Sequence, residues 1–126
     1  MLKDCEESII EQTLTAATCV HSTIGPGLLE SIYEKALALE LTERGLRAET
    51  QVPIPVRYRG QDLGMGFRAD LIVEQSLLLE LKCVETLNSL HVAQTITYLR
   101  LLGLKRGYLL NFNTRLLKHG VRRISI

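Results

Sequence analysis

The chain has 126 residues, enough for one domain and too few for two. Hydrophobic residues make up 46% and charged residues 23%, an ordinary globular composition that excludes intrinsic disorder. The net charge of +1 hides an asymmetry, because all 14 acidic residues lie in 1–85 while 86–126 carries seven cations and no acid. That acid-free segment is a candidate polyanion surface, unless its cations pair in space with the acidic part. No apolar run approaches the ~20 residues of a membrane span, and the start of the chain turns acidic where a signal peptide would turn apolar. Cys5, Cys19 and Cys83 lack CxxC spacing, which points to reduced thiols in a cytoplasmic protein.

The first helix is expected over about Asp4–His21, with Ile9, Ile10, Thr13, Ala17 and Val20 at helical spacing and Asp4, Glu6 and Glu7 suited to its first turn. Thr23 to Gly27 breaks it. A second helix runs from about Leu28 to Arg44 and stops at Gly45. Glu30, Tyr33, Leu37 and Leu41 share one stripe, with Leu28, Ile32 and Leu39 nearly opposite, so this helix is expected to be covered on two sides.

From Ala48 the period becomes two. Gln51–Tyr58 reads as a strand whose two prolines place it at an edge. Arg59-Gly60-Gln61 turns the chain into a strand reaching Val73, and Glu74-Gln75-Ser76 is a hairpin loop before a strand over Leu77–Val84. Asn88 or Ser89 caps a third helix that Gly103 ends. Lys105–Phe112 and Val121–Ile126 are the last strands. The order describes a single α/β domain over 1–126, with a mixed sheet flanked by helices.

Three carboxylates sit oddly. Glu80 interrupts the most apolar strand and shares a face with Lys82, away from Leu79 and Leu81. If the hairpin loop is three residues, Val73 meets Leu77 and Asp70 falls opposite Glu80. Facing like charges destabilise a sheet, so positive charge belongs between them: Lys82 supplies part and a divalent cation the rest. A solvated strand face would account for Glu80 and Lys82 equally well. Glu30, at the edge of an apolar helical stripe, is either functional or reaches to solvent. His91, Gln94 and Tyr98 share one face of the third helix. No P-loop, activated nucleophile or zinc pattern is present.

Gly27-Leu28-Leu29-Glu30-Ser31-Ile32-Tyr33 matches the GxxExxY signature of a family of small proteins. With Gln51-Val52-Pro53, Arg68-Ala69-Asp70-Leu71, Glu80-Leu81-Lys82 and Gln94 to Tyr98, the chain resembles a compact branch of the PD-(D/E)xK nuclease superfamily, with Ala69 where the name places a proline. Gln94-Thr95-Ile96-Thr97-Tyr98 is similar to the Q-x-x-x-Y motif of RecB-type nucleases and lambda exonuclease. The resemblance implies a restriction-endonuclease-like core and hydrolysis of phosphodiesters by a metal-activated water, with DNA favoured over RNA. It assigns Asp70, Glu80, the Leu81 carbonyl and Glu30 (directly or through water) to Mg²⁺ or Mn²⁺. Lys82 would handle the water or the developing charge, and Gln94 and Tyr98 would position the substrate. Arg68, Arg122 and Arg123 are further candidate phosphate contacts. The alternative is a catalytically weak or inactive nuclease-fold module that binds nucleic acid or a protein partner, as a homodimer.

Overall fold

The hydrophobic period changes at Ala48, and the structure changes with it. Helices α1 (Leu2–Ile24) and α2 (Glu30–Glu43) come first. Strands β1 (Ala48–Tyr58), β2 (Gln61–Val73) and β3 (Leu77–Lys82) follow, then helix α3 (Ser89–Leu102), β4 (Arg106–Asn111), a 3-10 turn at Leu117–Gly120, and β5 (Val121–Ser125). The computed structural model describes Leu2–Ile126, with side chains from Cys5 onward. The first-turn role expected of Asp4 lies outside those side chains.

The strands form one sheet in chain order, β3 and β4 parallel and the other pairs antiparallel. This is the expected mixed α/β sheet, with α3 as the crossover between the two parallel strands. β1 lies at the edge, where Pro53 and Pro55 cost the ladder least, and its register slips around Pro55.

Both sheet faces are covered. Tyr33, Leu37 and Leu41 of α2 join Ala16, Ala17 and Val20 of α1 over Leu79, Leu81 and Leu110. Leu99 of α3 lies in the opposite layer with Leu78, Leu109 and Ile124. A strand buried on both faces needs apolar residues at successive positions, which explains the run Leu77–Leu81 and isolates Glu80 within it. Helix α3 begins where expected: Asn88 accepts from the His91 amide, and His91 accepts from the Asn88 amide in return. Gly103 ends it in the left-handed conformation, φ 72°.

Two expectations change. The strand expected to reach Val84 stops at Lys82, because the buried Asn111 side chain bonds both backbone groups of Val84. The second helix starts at Glu30, not Leu28, and among the described residues its second apolar side is not covered: Ile32 and Leu39, with Leu28 just before the helix, are between 42% and 63% exposed. The acid-free segment is tied to the acidic one by an Arg106–Glu6 pair at 3.7 Å; among the described residues, Arg122 and Arg123 have no carboxylate within 4 Å.

Asn111 also fixes its other neighbour. A Cβ added at Gly120 would stand 2.3 Å from the Asn111 carbonyl oxygen, so only glycine permits the turn before β5 to close on β4. Gly120→Ala should therefore lower unfolding stability by about 1–3 kcal/mol, the usual cost of overpacking, as measured by urea titration.

Candidate active site

The three-residue loop Glu74–Ser76 sets the hairpin register, with Val73 on Leu77 and Leu71 on Leu79. The next pair along is Asp70 and Glu80, and here side chains replace backbone carbonyls. The Asp70 amide donates to Glu80 Oε2 at 2.9 Å, and the Leu81 amide donates to Asp70 Oδ2 at 2.8 Å. Each acid thus completes the ladder of the other's strand. Among the described residues, Asp70 Oδ1 and Glu80 Oε1 have no hydrogen-bond donor.

The surroundings keep these acids reluctant to ionise. Glu80 is 1% exposed; desolvation first, then the charge of Asp70, pushes its pKa up to about 8. Asp70 is pushed up to about 6, again chiefly by burial, against the Leu81 amide that favours its charged form. Lys82 lowers both but does not cancel these effects. The Lys82 carbonyl accepts from the Phe112 amide, just past the end of β4. Strand alternation turns the Leu81 carbonyl the other way, to the side of the Asp70 carboxylate.

The helices bring the rest. Tyr33, the tyrosine of the GxxExxY signature, donates to the Gly25 carbonyl at 2.6 Å, accepts from the Leu28 amide at 3.1 Å and stacks on Phe112. It pins the loop from which α2 starts, and so sets where Glu30 stands. Glu30 is exposed; its charge reaches Asp70, Glu80 and Cys83 without its joining the carboxylate pair. Among the described residues, no three His, Cys, Asp or Glu side chains converge into a ready metal cage. Tyr98 lies on the Glu80 side of the sheet, stacked on Phe67 at 4.6 Å, and burial plus the Glu80 and Asp70 charges raise its pKa. Gln94 is half-buried one turn earlier on the same helix.

The three arginines are dispersed. Arg68 is exposed on β2 and contributes to neither carboxylate's shift. Arg122 pairs with Leu109, which belongs to the α3-side core, whereas Arg123 pairs with Tyr108 of the α1 side. The two neighbours therefore face opposite sides of the sheet, and only Arg122 shares the side of Glu80.

The sequence reading gave no site role to two residues. Glu34, one turn after Glu30, acts on Asp70 more strongly than Glu30 does. Gln51 donates to Glu34 and lies opposite Asp70, between the pairs Thr50–Leu71 and Val52–Ala69. Its φ of 51° is left-handed, rare for glutamine. At this point the ribbon changes sides: Leu71 packs under α1 and α2, while Val52 and Ala69 pack with the α3 layer. The spacing of Glu34 from Glu30 was the available signal for the first residue; nothing in the sequence marks the backbone of the second.

The PD-(D/E)XK nuclease superfamily profile matches residues 7–124, nearly the whole chain. The chain belongs to this superfamily. No curated protein and no solved structure matches it significantly. The α/β fold with its five-strand mixed sheet agrees with that membership.

The carboxylate pair has a stability signature. An acid whose pKa is higher folded than unfolded binds its proton more tightly in the folded state, so its stabilising contribution is complete at low pH and is lost as pH rises. For Glu80 the loss runs from the ordinary glutamate range up to about 8, and for Asp70 up to about 6. Without divalent cations, stability should fall between about pH 5 and about pH 8, and Glu80→Gln should flatten the fall. Denaturant melts at the two pH values check it; an equal slope in parent and variant would count against the pair.

Proposed function

We propose that this protein is a metal-dependent nuclease acting on DNA. The observation that carries the reading is the reciprocal pair: two acids, desolvated and mutually repelling, each with one oxygen bound to the opposite backbone and the other without a donor among the described residues. Such hard oxygen donors, with the Leu81 carbonyl on the same side, fit Mg²⁺ or Mn²⁺. Asp70, Glu80 and Leu81 would hold the ion, and Glu30 would contribute through water. When bound, the ion supplies Lewis-acid polarisation of the phosphate and an ionisable water at neutral pH.

The chain's own groups do the remainder. Lys82 extends from the same strand face as Glu80, where its ammonium orients the attacking water or steadies charge growing on the phosphate. Tyr98 keeps its phenolic proton and is a donor for a phosphate oxygen, with Gln94 one turn away on the substrate side. Glu34 and Gln51 act as positioning residues, holding the ribbon where Asp70 leaves it.

The competing reading is a nuclease-fold module that binds without turnover. The exposed position of Glu30 and the uncovered apolar side of α2, which a second copy would bury, favour it. Incubating linear and circular DNA with the protein and Mg²⁺ or Mn²⁺ separates the two. Cleavage should appear with metal and disappear in EDTA, and Lys82→Ala should abolish it while metal affinity stays level or rises. DNA retarded on a gel but never cut would favour the binding module.

A thermal melt tests the ion without a substrate. Mg²⁺ or Mn²⁺ at a hundredfold excess over its dissociation constant should stabilise the folded state by roughly 2.7 kcal/mol. Asp70→Asn and Glu80→Gln should erase that gain, whereas Glu11→Gln should keep it. Retention of the full shift by both site variants would remove Asp70 and Glu80 as ligands.

A further inference from the structure

A second feature lies at the carboxyl ends of the two parallel strands. A groove of about 340 Å³ opens there, lined among others by Glu85, Thr86, Asn111, Thr114, His119 and Arg122. Crevices at such strand ends are habitual ligand sites in α/β sheets. The floor is fixed. Asn111 is 2% exposed and bonds both backbone groups of Val84 and the Asn113 amide, while Thr114 Oγ1 donates to its carbonyl. Because those bonds occupy Asn111 and Thr114, the donors left to the groove are the Thr86 hydroxyl, the His119 ring and the Arg122 guanidinium.

Register ties the groove to the pair. Lys82 is level with Asn111, and Glu80, Leu109 and Arg122 form one row across β3, β4 and β5. All three face the α3 side, so Arg122 stands two strand spacings, about 10 Å, from Glu80 on the same side of the sheet, with the buried Leu109 between them. Arg123, one residue on, faces the other side.

We propose that this groove is a phosphate subsite, holding the phosphodiester backbone of the nucleic-acid strand as it leaves the carboxylate pair. The proposal rests on the nuclease reading above and adds the path of the substrate. Arg122 supplies the charge, His119 and Thr86 supply hydrogen bonds, and Glu85 at the rim opposes binding and limits it. The path crosses the end of β4, not the outer face of β5 that Arg123 occupies.

The test measures binding of fluorescein-labelled DNA and RNA oligonucleotides by anisotropy in EDTA, over a range of salt. Arg122→Gln should weaken binding several-fold near 0.1 M salt and reduce the log–log salt slope by ~0.9, the loss of one phosphate contact. Arg122→Lys should recover most of the slope. Arg123→Gln should stay within about twofold of the parent, and Glu85→Gln should bind more tightly. Both arginines are exposed, and melting curves of each variant report whether folding is intact. Equal losses for Arg122→Gln and Arg123→Gln, or parent-like binding by Arg122→Gln, overturn the groove. If the parent still cleaves DNA in that case, the nuclease reading survives. A parent that binds neither DNA nor RNA and cleaves neither overturns both.

Discussion

The reciprocal bonding of Asp70 and Glu80 across β2 and β3 is the arrangement on which the rest of this structure depends. An ordinary antiparallel ladder would continue past Leu71 and Leu79 with amide–carbonyl bonds. Instead each carboxylate takes an amide, which leaves the two strands joined through acids that burial and mutual repulsion make hard to ionise. The amide bonds offset part of that cost, and Lys82 offsets another part. The remainder is a standing preference for the protonated form, which burial and mutual repulsion maintain.

Everything nearby serves to hold this pair in place. Leucines cover both faces of β3, so Glu80 cannot swing away without opening the core. Helix α2 divides its labour within one signature. Glu30 projects charge toward the pair, while Tyr33 spends its hydroxyl on the loop before the helix and its ring on Phe112. On the opposite strand, left-handed Gln51 and its bond to Glu34 mark where the β1–β2 ribbon changes sides, beside Asp70. Backbone strain of this kind persists where the surroundings over-determine it.

Charge along the chain and charge on the surface are different quantities here. The acid-free segment loses Arg106 to Glu6 on α1, and β5 divides its two adjacent arginines between the faces of the sheet. Of those two, only Arg122 shares the side of the sheet on which Glu80 and Lys82 lie. Cys83 is a bystander: burial and the Glu30 charge keep it a thiol, in line with the absence of any nucleophile pattern.

The sequence by itself determined the features that depend on neighbours in the chain. The three-residue loop Glu74–Ser76 set the register that brings Asp70 to Glu80, paired prolines sent β1 to the edge, and Asn88 and Gly103 bounded α3. These are local rules of alternation, φ and capping, and they operate before any tertiary contact forms. Tertiary structure alone decided the rest. The strand ends at Lys82 because Asn111, 27 residues beyond Val84, takes up its backbone. Alternation separates Arg122 from Arg123, but only the packing of β5 beside β4 says which of them shares a side with Glu80. The left-handed Gln51, the closeness of Glu34 to Asp70 and the open side of α2 likewise arise from how helices settle on a sheet. Those outcomes follow from long-range packing, in which residues distant along the chain compete for the same volume.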